Sequence, residues 1–133
     1  MAVGPQGVES LRERLDALCL DAFLVTLPVN MRYLVGFTGD LGLLLVTKQA
    51  VELAVDPRYT EHARREVGGV PVREVRGEWA KGLGDMLAGH GVASLGFEGD
   101  EVTVSQLARW TKQLGDSVRL EPHSGIVQTL RAR

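Results

Sequence analysis

The segment from Asp21 to Ala63, DAFLVTLPVNMRYLVGFTGDLGLLLVTKQAVELAVDPRYTEHA, constrains the fold more than any other part of this chain. It holds three apolar runs of strand length: Ala22 to Leu27, Leu43 to Val46 and Val51 to Val55. A tight turn at Thr47-Lys48-Gln49 joins the last two as a hairpin. The first and third runs each lead into a polar loop carrying an Arg-Tyr pair, Arg32-Tyr33 and Arg58-Tyr59. If the middle run is antiparallel to both neighbours, the outer two end on the same edge of one sheet, and both pairs share that edge. Arg offers a planar fork of donors matched to a carboxylate. Tyr offers an apolar ring with a polar tip. Two readings are open: the pairs trim the margin of the core, or they form a surface built to meet something.

The rest of the chain alternates helical and strand patterns. Val8, Leu11, Leu15 and Leu18 recur at helical spacing among Arg12, Glu13, Arg14 and Asp16, an amphipathic opening helix. Val29 to Leu34 reads as a helical turn and Gly36 to Gly42 as a loop, whose glycines at intervals of three suit turns. Pro57 suits the first turn of a helix running to about Val67, because it lacks the N–H that would be orphaned there. Then follow a strand (Val70 to Val75), a helix (Glu78 to Ala88), a strand (Ser94 to Phe97), a helix (Val104 to Leu114, with Leu107, Trp110, Thr111 and Leu114 inward) and a short strand (Val118 to Glu121). Ser124 is placed to cap a last helix. This order predicts an α/β fold, three-layer α/β/α, with a mixed five- or six-stranded sheet. Its topology is ribonuclease H-like: an antiparallel meander followed by parallel β-α-β units, with Ala22 to Leu27 central. Phe23, Val25, Leu43, Leu45, Leu53, Val55, Leu95 and Phe97 are the expected core.

Composition narrows the function classes. At 133 residues a single domain, 1–133, is expected. The net charge of −2, without a basic block, argues against a nucleic-acid partner. No apolar run is long enough for a membrane span, and no secretory leader pattern opens the chain. The single Cys19 leaves no internal disulfide and is expected to be a buried small hydrophobe. A cytoplasmic protein is the expectation. No nucleophile elbow, phosphate loop or dinucleotide fingerprint is present. His62, His90 and His123 lack metal-ligand spacing. Asp40, Asp56 and Glu61 fall near one edge. Asp56 and Glu61 flank a helix start, however, where the helix dipole stabilises carboxylates, so no metal is expected there. A two-metal nuclease is disfavoured too, because the first strand carries no carboxylate.

The segments PVNMRYLVGFTG and VELAVDPRYTEHA resemble the N-terminal domain shared by prolidase, Xaa-Pro aminopeptidase (aminopeptidase P) and creatinase. That family shows N-x-R-Y-L-x-G-F-x-G after its first strand, matched by Asn30, Arg32, Tyr33, Leu34, Gly36, Phe37 and Gly39. It shows D-x-R-Y-x-x-x-A after its third, matched by Asp56, Arg58, Tyr59 and Ala63. Pro57 stands where the family often has Gly. The resemblance implies a non-catalytic domain of a proline-specific metallopeptidase, an Xaa-Pro dipeptidase or aminopeptidase. Such a hydrolase carries its chemistry in a separate C-terminal pita-bread domain, absent from this chain. Two divalent ions (manganese, cobalt or zinc) are expected in that domain and none here. The resemblance further implies a homodimer in which this domain helps to close the active site. Asn30, Arg32, Tyr33, Asp56, Arg58 and Tyr59 are then the substrate or interface candidates. The alternatives are the N-terminal domain of a creatinase-type amidinohydrolase, or a stand-alone module for a small ligand or peptide.

Overall fold

A computed structural model describes residues 5–132. Its first helix, α1 (Pro5–Leu18), is followed by β1 (Ala22–Val25), α2 (Pro28–Val35), β2 (Leu43–Thr47) and β3 (Val51–Val55). A 3-10 turn at Pro57–Tyr59 leads into α3 (Thr60–Glu66). Then come β4 (Val72–Glu74), α4 (Trp79–Gly89), β5 (Ser94–Glu98), α5 (Val104–Leu114), β6 (Arg119–His123) and α6 (Ile126–Arg131). The six strands form one sheet in the order β4-β3-β2-β1-β5-β6. β2 is antiparallel to both β1 and β3. β4 joins β3, β5 joins β1 and β6 joins β5, all parallel. The sheet is thus mixed and six-stranded, with the meander first and β1 at its centre.

Alternation along the strands separates the core into two layers, because successive side chains leave opposite faces of a sheet. Phe23, Val25, Leu44, Val46, Leu53 and Val55 face α1, α2, α3 and α6. Ala22, Leu24, Leu43, Leu45, Leu95 and Phe97 face α4 and α5, where Leu83, Met86 and Trp110 meet them. All eight residues expected in the core are buried. Thr111 is not: it is exposed and returns its hydroxyl to the Leu107 carbonyl one turn back. Asp21, read as a break, is a clamp. Its carboxylate accepts from the Ala93 and Ser94 amides at 2.9 and 3.0 Å and ties the start of β1 to the start of β5.

Three further local expectations need correcting. β1 ends at Val25 rather than Leu27, because the Thr26 and Leu27 amides turn to a side chain instead of a neighbouring strand. Ser124 does not cap α6; its hydroxyl donates to Asp100, and Gly125 holds the cap position with φ 77°. Cys19 is exposed, not buried. It sits at φ 59°, the only non-glycine positive φ among the described residues. Leu20 N–H reaches the Leu15 carbonyl and Cys19 N–H the Asp16 carbonyl, the paired bonds that close a helix on a left-handed residue. Glycine takes that conformation without the Cβ penalty. Cys19→Gly is therefore expected to raise stability by about 0.5–1 kcal/mol in urea unfolding.

Candidate functional site

β1 and β3 run the same way because each is antiparallel to β2. Their C-terminal ends share one edge of the sheet. α2, with Arg32 and Tyr33, leaves that edge from β1; the Pro57–Tyr59 turn, with Arg58 and Tyr59, leaves it from β3. No hydrogen bond joins the two pairs among the described residues, and each has its own support.

α2 is aimed by a residue of β5, the strand next to β1. Glu98 ends β5 and is buried. Its Oε1 accepts the Thr26 and Leu27 amides at 2.6 and 2.8 Å, and its Oε2 accepts Asn30 Nδ2 at 2.5 Å. The carboxylate thereby gathers the amides of the strand-to-helix turn just ahead of α2. Asn30 is fully buried; its Oδ1 has no partner. Its role is to hold Glu98, not to face solvent. Gly36 closes α2 at φ 83°.

With α2 so fixed, Arg32 projects from the helix surface, exposed and without a salt bridge or hydrogen bond among the described residues. Tyr33 lies inward. Its ring packs on the core layer of α1 and α6, and its hydroxyl donates to the Leu130 carbonyl at 3.4 Å. The second pair is occupied. Asp56 accepts the Arg58 amide at 2.8 Å and takes its guanidinium at both oxygens, at 3.2 and 2.8 Å. The Arg58 contact holds the Asp56 carboxyl below the usual carboxylate range. Arg58 also lies over its neighbour's ring, 5.6 Å from the centroid. Tyr59 donates its hydroxyl to Asp40 at 2.7 Å, a bond that pushes the phenol's pKa up. Of the six candidates, only Arg32 is both exposed and free.

The surrounding surface is partly apolar: Val29 on α2 and Leu41 on the loop are 45% and 42% exposed. A groove of about 850 Å³ opens beside them between α4 and α5, with Leu27, Pro28, Leu41, Trp79, Arg109 and Trp110 on its walls. No group of three His, Cys, Asp or Glu side chains among the described residues is placed to hold a metal ion. His62, His90 and His123 instead each meet a single carboxylate: Glu66, Glu52 and Glu121. Nothing among the described residues fits a two-metal centre, which needs converging carboxylate and imidazole ligands.

The profile of the Creatinase/Prolidase N-terminal domain matches residues 8–133. The chain belongs to this family. The chain is 32% identical over 124 residues to the uncharacterized peptidase YqhT of Bacillus subtilis (strain 168), covering 93% of this chain and 35% of the relative. The chain thus spans about a third of that relative's length. In three dimensions it is similar to an Xaa-Pro dipeptidase from Bacillus anthracis (TM-score 0.88, 28% identity), covering 95% of this chain and 35% of that one. It is also similar to the N-terminal domain of the cytoplasmic peptidase PepQ from Mycobacterium tuberculosis H37Rv (TM-score 0.85, 34% identity), with 94% and 98% covered.

Glu98, whose carboxylate holds α2, and Glu66, whose carboxylate meets Thr38 and His62, are not among the sequence candidates. Glu98 left one signal, an acid closing the otherwise apolar run SLGF. Glu66 left none, standing in a solvated helical pattern.

Proposed function

We propose that this chain is the non-catalytic N-terminal domain of an Xaa-Pro metallopeptidase, a dipeptidase or aminopeptidase, acting in the cytoplasm. The relatives support the reaction class, and the one-third coverage supports a catalytic domain elsewhere in the same polypeptide. That domain, in this reading, also holds the two divalent metal ions, manganese, cobalt or zinc. In this reading the domain contributes to a homodimer and to closing the active site, through the edge that carries Arg32. The observation that carries it is the contrast between the two arginines: Arg58 is already bound on Asp56, whereas Arg32 is free to meet a substrate or partner carboxylate.

In the full-length enzyme, Arg32→Ala is expected to raise KM or weaken the dimer roughly tenfold or more, the loss of one charged hydrogen-bonded contact. The melting temperature of the isolated domain should hardly move. Arg58→Ala should have the smaller functional effect. Steady-state kinetics and sedimentation of both variants decide this; wild-type KM and dimerisation in Arg32→Ala would remove the proposed role.

The groove between α4 and α5 favours a second reading, a stand-alone module for a small ligand or peptide, since its volume lies within the ~300–1,000 Å³ of ordinary ligand pockets. Both tryptophans of the chain line it. A saturable change in tryptophan fluorescence when this chain alone is titrated with an Xaa-Pro dipeptide would favour that reading.

A further inference from the structure

The loop from Gly36 to Gly42, which joins α2 to β2 beside Arg32, is fastened from α3 and the turn before it. Phe37 is fully buried beneath the loop. Its ring meets Tyr59 and His62 edge-on, with centroids 6.3 and 6.5 Å apart. A Cβ at Gly39 would stand 2.2 Å from Phe37 Cζ, so the backbone folds tightly over its own aromatic anchor. Beyond Phe37, Thr38 is gripped twice. Its amide donates to Glu66 Oε1 at 2.9 Å and its hydroxyl to Glu66 Oε2 at 2.6 Å. His62 Nε2 lies 3.0 Å from the same Oε1 and 3.1 Å from the Thr38 hydroxyl. Further along, Asp40 accepts the Tyr59 hydroxyl.

We propose that Glu66 is a positioning residue that presets this loop through Thr38, so that Asp40 and Leu41 are held in one conformation before any partner or substrate arrives. The loop is then a fixed projection rather than a flap. What it meets rests on the function proposed above; how it is held does not. Glu66 is the group that binds both the backbone and the side chain of one loop residue, and such two-point contacts between a carboxylate and its donors are the directional ones. Phe37 and Tyr59 hold the loop to the body by packing and by a single bond. Glu66 sets its register.

The contact carries a pH dependence with a definite sign. Burial alone would push the Glu66 carboxyl up; the Thr38 hydroxyl and amide, with His62, outweigh it and hold the pKa below the ordinary glutamate value. The charged or titratable group that meets it is His62, on its own helix. A depressed folded-state pKa means the grip is complete above the unfolded carboxyl range and is lost as pH falls through the folded value.

The test uses amide hydrogen exchange and NMR spectra of the 133-residue chain with Glu66→Gln, Thr38→Val and Thr38→Ser. Exchange at Thr38 and the loop amides after it should rise roughly tenfold in the first two variants, as expected when a local opening loses a charged hydrogen bond. Thr38→Ser, which keeps both donors, should retain wild-type protection. Acidifying the wild type should bring its loop resonances toward those of Glu66→Gln while the β1 and β2 resonances stay in place. Wild-type loop protection in both Glu66→Gln and Thr38→Val would overturn the proposal. So would an equal loss of protection in the loop and in β1 and β2, which would mark Glu66 as a general stabiliser. Loosening of the loop with an unchanged KM in the full-length Glu66→Gln enzyme supports the preset loop and counts instead against the loop's place at the active site.

Discussion

Replacing Glu98 with alanine is expected to destabilise the domain by about 3 kcal/mol or more and to lower its melting temperature by roughly 10 °C. The side chain is 5% exposed and accepts two backbone amides and the Asn30 amide. No backbone neighbour is placed to take over those donors, because Thr26 and Leu27 have left the sheet. Each buried donor left without an acceptor costs about 1–3 kcal/mol, whereas the lost contact area of one glutamate is a smaller matter. Glu98→Gln keeps the volume and one acceptor, so it should fall between. α2 would lose its anchor along with the global stability, and Arg32 would move with it. Thermal melts of the two variants check the order; a loss under about 1 kcal/mol for Glu98→Ala would show that water satisfies the turn.

The second large effect lies at Gly96, in β5 beside the central strand. A Cβ there would stand 2.7 Å from Phe23 Cδ1 and 2.8 Å from Leu20 Cδ1, both on residues 1% exposed or less. Two opposed terms decide the sign. Replacing a strand glycine with alanine gains roughly 0.5–1 kcal/mol in chain entropy. Overpacking a core typically costs about 1–3 kcal/mol, and neither ring nor methyl has open space to retreat into. The steric term is expected to win. Gly96→Ala should be destabilising by about 1 kcal/mol and Gly96→Val by about 3 kcal/mol in urea unfolding. A neutral or stabilising Gly96→Ala would show that Phe23 repacks freely and that the core is looser than its burial suggests.

The meander was legible because its signal is periodic and local: apolar runs of strand length, a tight turn at Thr47, and polar loops after β1 and β3. The shared edge for the two Arg-Tyr pairs followed from strand direction alone. What each residue does at that edge was not legible. Arg58 and Arg32 stand in nearly the same local context, yet one is consumed by Asp56 two residues away and the other is free. The position two before each arginine differs: Asp56 takes Arg58, whereas Asn30 carries no charge and donates to Glu98, sixty-eight residues away. Contacts of that sequence separation leave no periodic mark. Cys19 failed for a different reason. Its apolar character pointed inward, but the closing turn of α1 required a left-handed residue at that position, and backbone geometry overrode side-chain preference. At Thr111, one residue past the inward face marked by Trp110, the helix has already turned to solvent, and the hydroxyl bonds back to the Leu107 carbonyl.

The measurement that bears most directly on the proposed function is hydrolysis of an Xaa-Pro dipeptide with excess manganese or cobalt, by this 133-residue chain and by the full-length polypeptide. The chain alone should give no turnover above a metal-only blank, because no cluster of metal ligands exists among its described residues. The full-length protein should hydrolyse the dipeptide at that bond. Metal-dependent turnover by the chain alone, or none by the full-length protein, would contradict a non-catalytic domain serving a proline-specific peptidase.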